Sequence, residues 1–316
     1  MQVKSLWNGF WFSEAPYFDL AVLRLIAVGT QLFYTLDDVF SAINYAYSLP
    51  RSVYAPLPLL HALLWPWGLT GPPSAHVVFA IYGLCVVCGF LALAGLLTNI
   101  SLLLFAVSCL FLQLFLFSFG QYHHPEAILL LALLALSLGP CGKVLSLDSL
   151  LRQRRLGPAA PRVPLLTYSG EFAAWPVLFV QCLFPLVYIS AAVAKIAYNH
   201  YSFDWVNGFT LQYYMIQDNI RKDAPLALWV SQFHTLIFLG QFVVLTYQCT
   251  YWAVVPWPKL RWVYLPLGLA FHLANYLILY APFPQWIALL AAYIPWAAAA
   301  RQLAASQVAV PARSGQ

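Results

Sequence analysis

The sequence predicts an all-α integral membrane protein, a multi-pass bundle of about eight transmembrane helices. Both termini are expected on the cytoplasmic side, with a short interfacial or re-entrant helix near residues 56–69. Three observations carry this expectation. Hydrophobic residues make up 62% of the chain and charged residues 8%, with a mean hydropathy of +0.76. A soluble domain averages about 25% charged residues, so this chain has too few to cover its surface in water. Apolar runs recur at roughly 20 residues, the length a helix needs to cross the hydrocarbon core. The basic residues are also unevenly distributed between alternate loops, as membrane topology requires.

The elements follow in chain order. The opening Met-Gln-Val-Lys-Ser-Leu-Trp-Asn-Gly-Phe-Trp-Phe has no continuous apolar core followed by a small-residue cleavage site. It is therefore expected to be an interfacial segment and not a cleaved signal peptide. Spans are expected at 17–36, 75–96, 100–118 and 124–140, then at 172–198, 226–248, 262–280 and 282–300. Residues 56–69 are apolar, yet too short and too rich in proline to cross. The fourth span opens with His124 at the N-cap and Pro125 at the first helical position. The 141–171 loop parts four spans from four, the 199–225 segment reads as an external loop, and 301–316 reads as a disordered polar tail. No internal repeat or composition shift divides the chain, so 1–300 is expected to be a single domain.

Ten of the fifteen Lys and Arg residues fall in loops on the side of the N-terminus, five of them (Lys143, Arg152, Arg154, Arg155, Arg162) in the 141–171 loop. Three, Arg51, Arg221 and Lys222, fall on the other side, and Arg24 and Lys195 lie within spans. This bias places the 199–225 loop toward the periplasm or exterior of a plasma-membrane protein. The net charge of +5 is then a topology signal, and no nucleic-acid partner is expected. Six cysteines are scattered through the chain. Cys85 and Cys88 have the spacing of membrane thiol-disulfide enzymes, but no outer cysteine pair follows to pass electrons onward, and small buried thiols are ordinary in cores. No metal site is expected.

An ionisable side chain at mid-bilayer costs about 2.5 to 3.5 kcal/mol on insertion scales and generally faces a cavity or a partner. Lys195 follows Ser190, Ala191, Ala192 and Ala194, small residues that let another helix approach. His272 is followed by Asn275 and Tyr276 at helical spacings. Lys195, His124 and His272 are all expected in the outer half of the membrane. Bland readings stand beside this: Lys195 snorkels to headgroups, His272 hydrogen-bonds across helices, His124 belongs to a solvated loop, and Arg24 is held by an acid such as Asp37 or by a backbone carbonyl. The sharper reading gathers the three into one site. An amine deprived of water loses hydration that favours its charged form, and a neutral lysine can act as a general base. Trp205, Asn207 and Tyr213, with Gln212, Tyr214 and Gln217, form an aromatic and amide rim, and Asp204-Trp205-Val206-Asn207-Gly208 reads as a lid.

Several stretches, taken in order, carry a family resemblance. They are Tyr17-Phe-Asp-Leu-Ala-Val-Leu-Arg24, His123-His124-Pro-Glu-Ala-Ile-Leu-Leu, Pro140 with Ser146-Leu-Asp148-Ser, Ala194-Lys195, Asp204-Trp205-Val206-Asn-Gly208 and Phe271-His272-Leu273. Together, over about residues 10–300, they resemble the horizontally transferred transmembrane (HTTM) family and the membrane domain of vitamin K-dependent gamma-carboxylases. The resemblance implies a reduced vitamin K-type quinone as cofactor and Lys195 as the base that deprotonates it. It further implies that His124 assists and His272 lines the pocket. The residue-based reading adds Trp205, Asn207, Tyr213, Asn275 and Tyr276 as the expected cofactor contacts. No large extramembrane portion follows the last span here, so quinol chemistry is expected without peptide carboxylation. The alternative from another class is a non-catalytic membrane factor serving maturation, export or immunity of a protein partner, with Lys195 and Arg24 in structural roles. A transporter is a third, for which no inverted repeat is visible.

Overall fold

The computed structural model describes residues 2–68, 70–120, 126–157, 163–198 and 202–308. It is an all-α membrane fold. Six helical stretches are long and apolar enough to cross a bilayer: Tyr17–Ser48, Ala75–Ala94, Thr98–Phe117, Glu171–Tyr198, His234–Val254 and Pro258–Leu279. A seventh is the pair Pro284–Tyr293 and Trp296–Ser306, bent by 71°. The fourth expected span is represented by the shorter apolar helix Glu126–Leu138, with 121–125 outside the described residues. The segment near 56–69 forms a short helix, Pro58–Leu64, and a 3₁₀ turn, Trp65–Trp67, too short to span. The N-terminal segment is the helix Gln2–Trp11. The last helix, Trp296–Val308, runs into the expected polar tail, of which 309–316 lie outside the described residues.

The chain divides into two compact units, residues 1–179 with 294–316, and residues 180–293. In the first, the opening span is longer than expected. The α-helix Tyr17–Tyr34 passes through a π-helical turn, Thr35–Val39, into the helix Phe40–Ser48. The wider turn carries the helix past the polar Thr35, Asp37 and Asp38, where apolarity alone suggests an end. Leu20, Leu23, Ala27, Leu102, Phe105, Leu129 and Leu133 are buried and build the core. Gly89 lets helices touch: a Cβ there would sit 2.8 Å from a Leu32 methyl and 2.9 Å from the Phe105 ring.

One end of this unit is tied by a polar knot. Arg24 is fully buried and donates from Nη2 to the Leu145 carbonyl at 2.6 Å and from Nη1 to the Cys141 carbonyl at 3.3 Å. The carbonyl form of the Arg24 expectation is thus the one found. Gly95 ends the Ala75–Ala94 helix at φ 72°, and a Cβ on it would lie 2.6 Å from Arg24 Nη1. Across the knot, Asp148 accepts from the Leu97 N–H at 2.9 Å and from the Thr98 N–H and hydroxyl at 2.8 and 2.7 Å. It therefore caps the Thr98–Phe117 helix from outside that helix. Ser146 and Ser149 form a capping box that starts the helix Leu147–Leu156. Burial alone would raise the Asp148 pKa, but the Thr98 and Leu97 donors outweigh it and hold it below the usual carboxylate range. The fully buried Cys141 thiol is pushed up to about 12 by desolvation, with Arg24 opposing. Asp19 accepts from the Ala297 N–H at 2.6 Å, fixing the start of the last helix.

The second unit contains residues 180–198 of the Ala174–Tyr198 helix, a 3₁₀ turn Asp204–Asn207, and the helices Phe209–Lys222, Pro225–Val230, His234–Thr250, Arg261–Leu279 and Pro284–Leu289. Two sequence expectations change here. The 199–225 segment, read as loop, contains a 14-residue helix whose Leu211 and Met215, one turn apart, pack on Ala224, Ala227, Val230 and Ile237. The apolar run 226–248 is broken after Val230, where Ser231, its hydroxyl on the Leu228 carbonyl at 2.7 Å, stands at the C-cap.

Two substitutions test the knot. Asp148→Asn exchanges one carboxylate oxygen for a donor and is expected to lower stability by about 1 to 2 kcal/mol, the worth of a helix cap, read as a lower Tm in detergent. Because the native pKa is depressed, the Asp148 contribution is complete above the unfolded value of about 4 and is lost as pH falls through the native value. The Asn variant should lack that acid-dependent component. Gly95→Ala, which meets both a left-handed φ and Arg24, is expected to be at least as damaging; a wild-type Tm for either variant would argue against the knot.

Candidate functional site in the 180–293 unit

Lys195 stands one turn before the end of its helix at Tyr198, about 4.5 Å along the axis. Its Nζ donates to Gln248 Oε1 at 3.0 Å and lies 3.4 Å from the Ala191 carbonyl of its own helix. The ammonium also sits over the Trp205 ring, 5.2 Å from its centroid. Trp205 is positioned in turn by Gln241, whose Nε2 donates to the Trp205 carbonyl at 2.7 Å. Gln241 and Gln248 are seven residues apart, two turns of the His234–Thr250 helix, and both are buried. Ala192, Val206 and Leu245 pack beneath them. The amine is thus enclosed by an amide, a carbonyl and an indole face.

His272 occupies a second station. It is 2% exposed, and its Nε2 is hydrogen-bonded to Tyr188 Oη at 2.9 Å, while Nδ1 has no hydrogen-bond partner. Trp286 and Phe283 pack on the imidazole at 5.5 and 5.4 Å between centroids. Tyr188 is itself wedged between Tyr247 at 5.2 Å and Tyr251 at 4.8 Å. Tyr188 and Lys195 are two turns apart on one helix, about 10.5 Å in rise. The two stations therefore share a helix, and Lys195 and His272 hold different partners.

The other residues singled out in the sequence fall as follows. Asn207 caps locally, its Oδ1 accepting from the Phe209 N–H at 3.0 Å. Tyr213 is 61% exposed and stacks edge-on with Tyr214. Asn275 is half-buried on the Arg261–Leu279 helix, its carbonyl accepting from the Ala281 N–H. Tyr276 is exposed. His124 lies outside the described residues. The Asp204–Asn207 stretch, expected as a lid, is a 3₁₀ turn anchored through Gln241. Gln241, Gln248 and Tyr188 were not picked out by sequence reasoning; the signal that would have found the two glutamines is their two-turn spacing in an apolar helix.

In the first unit, Cys85 lies 3.3 Å from Cys109, sulfur to sulfur. The two cysteines of the Cys-x-x-Cys are buried. Glu126, which the sequence reading passed over inside its histidine motif, is buried and accepts from Gln113. Beside it Tyr34 donates to Asp38 at 3.2 Å. These four side chains line a cavity of about 20 Å³, room for one water.

The profile of the HTTM domain family matches residues 63–296. The chain belongs to the HTTM domain family. No curated protein and no solved structure matches it. The HTTM match contains Lys195, Trp205, Gln241, Gln248 and His272, and leaves Arg24 and the first span outside. HTTM domains occur in vitamin K-dependent carboxylase-like membrane proteins, and this is a membrane protein of that family.

A double-mutant cycle measures the Lys195 bond. Gln248→Leu leaves a half-buried ammonium without its amide and should cost about 1 to 3 kcal/mol. Lys195→Met with Gln248→Leu should cost less than the sum of the singles, by about 0.5 kcal/mol or more. Simple additivity in Tm would show that the two side chains do not interact.

Proposed function

We propose that this HTTM protein handles a reduced quinone of the vitamin K type within the membrane, at the side of the 180–293 unit that the charge bias turns to the exterior, with Lys195 as the base. The observation that carries the reading is an amine in an otherwise apolar helix whose Nζ donates to a neutral amide and sits over an aromatic face. A carboxylate would fix the charge; an amide acceptor leaves the proton transferable. The chain's donor set suits a hydroquinone, which brings an acidic hydroxyl and an apolar ring. Gln241 Oε1, on the side chain that holds the Trp205 carbonyl, and His272 Nδ1 are among the buried polar atoms without hydrogen-bond partners, and the walls are aromatic. In this reading Lys195 accepts a proton, Gln248 orients its amine, Trp205 and Tyr188 shape the apolar wall, and His272 presents a neutral imidazole. His124 joins them by family resemblance. The plasma membrane is the proposed location.

A second reading is favoured by one observation: the Lys195–Gln248 bond also ties two helices together, so the lysine serves as a strut in a non-catalytic factor for a protein partner. Lys195→Met separates the two. If Lys195 is the base, the variant should accumulate and unfold like the wild type and retain a hydroquinone analogue, while quinol-dependent oxygen uptake in proteoliposomes falls by about 100-fold or more. Loss of the folded protein, with oxygen uptake per folded molecule unchanged, would establish the strut and end the catalytic reading.

A further inference from the structure

We infer that the first unit holds an anionic phospholipid of the basic-loop leaflet in a cavity under the helix Leu147–Leu156. The cavity measures about 460 Å³, within the range of small-molecule sites. Its walls divide by chemistry. Leu25, Leu156 and Leu165 give it apolar lining, the last two open to the surroundings, and Lys143, Arg152 and Ser149 give it polar lining. The Lys143 side chain makes no hydrogen bond or ion pair among the described residues, its backbone N–H alone donating to the Pro140 carbonyl. Arg152 uses Nη2 on the Gly142 carbonyl at 3.3 Å and has further N–H groups to offer. Two cations beside an apolar hollow fit a molecule that carries a phosphate at one end and a hydrocarbon chain at the other.

The surroundings favour a lipid over a soluble phosphate. Leu147, Leu150 and Leu151 are exposed at positions i, i+3 and i+4 of the same helix and form an apolar stripe, uncovered among the described residues, whose Leu150 also borders the cavity. Arg154 and Arg155 are exposed farther along. A helix with leucines on one stripe and arginines beyond it lies in the plane of the membrane interface, and its basic content places it at the anionic cytoplasmic leaflet. The cavity therefore opens where headgroups and acyl chains are both at hand. Its shape is fixed by the polar knot, since the Ser146 cap and the Asp148 clamp set the direction of this helix. This assignment is independent of the quinone reading and uses none of its residues.

Full-length protein in phosphatidylcholine vesicles, doped with phosphatidylglycerol that bears an acyl-chain diazirine, provides the test. Photolabelling should fall on 143–156 and 163–165 and exceed that from the matching phosphatidylcholine probe by about fivefold or more. Each cation near an anionic headgroup accounts for roughly a fivefold change. Lys143→Gln, which breaks no bond within the protein, should cut the labelling about fivefold, and Lys143→Gln with Arg152→Gln by about 30-fold. Inorganic phosphate should leave the label in place. Equal labelling by the two probes, or labelling indifferent to Lys143→Gln, would overturn the proposal; so would displacement by inorganic phosphate, which would reassign the cations to a soluble anion.

Discussion

A cation inside an apolar chain needs oxygen atoms, and in this protein the oxygens come from amides. Arg24 ends on two backbone carbonyls. Arg261 ends on the Val254 carbonyl and on Gln181, with Tyr293 against its guanidinium. Lys195 ends on Gln248 and Ala191. The salt bridge found among the described residues, Lys222 with Asp218, lies outside the spans. The pattern has a physical origin. Pairing with an acid would require a second ion to leave water, at a cost of several kcal/mol that the pair's attraction offsets only with excellent geometry. Carbonyls at helix ends are already in place and lack partners, so a buried cation satisfies them and itself at once. The rest of the arrangement follows from where such carbonyls occur.

That rule separates the three cations. Arg24 closes onto the carbonyls of a turn that has no other way to satisfy them, so removing it would orphan both sides. Arg261 does the same for the Val254 carbonyl while bracing Gln181, which also donates to the Ala292 carbonyl at 2.7 Å. The Lys195 arrangement differs in kind. Its main partner is a side-chain amide that rotates, and its other neighbour is an indole face that attracts any cation or flat ring. Gln248 can release the amine without breaking a helix end. Of the three, Lys195 is the one whose partners include a side-chain amide and an indole face in place of backbone carbonyls of another segment.

The spans were readable because lipid-facing helices are apolar all round, and length then decides the matter. What apolarity hides is where a helix breaks or continues. The π-helical turn at Thr35–Val39 carries polar residues through a continuous helix, and the 226–248 run breaks at Ser231, the start of a short polar interruption (Ser231, Gln232, His234) that its long apolar flanks outweigh. The amphipathic Phe209–Lys222 helix looked like loop because half of its residues are polar, and its inward pair Leu211 and Met215 is too sparse to stand out. At the site, Lys195 and His272 announced themselves by their charge and titratable rings. Gln241, Gln248 and Tyr188, which give those residues their surroundings, are uncharged, and only the meeting of separate helices shows what they hold. Lys195 and His272 are held by different partners, Gln248 and Tyr188, the latter on the same helix as Lys195 and two turns before it. Depth along a span is legible in a sequence; the face a side chain presents to its neighbours is a property of packing.

The knot around Arg24 and Asp148 shows how one constraint propagates. Two helices joined by so short a turn as 95–97 leave the first N–H groups of the second helix without acceptors. Leu97 is held at φ 47°, so the chain cannot supply its own N-cap there in the ordinary way. Asp148 supplies it from 50 residues along the sequence, and doing so fixes the first turn of the helix that bears it. Arg24, bound to the carbonyls of Cys141 and Leu145, fixes the chain just before that helix. The orientation of this helix is thereby set from both sides by hydrogen bonds within the protein. The Lys143 side chain takes no part in these bonds, and Arg152 spends one N–H on the Gly142 carbonyl, so charge remains available to what lies outside the fold.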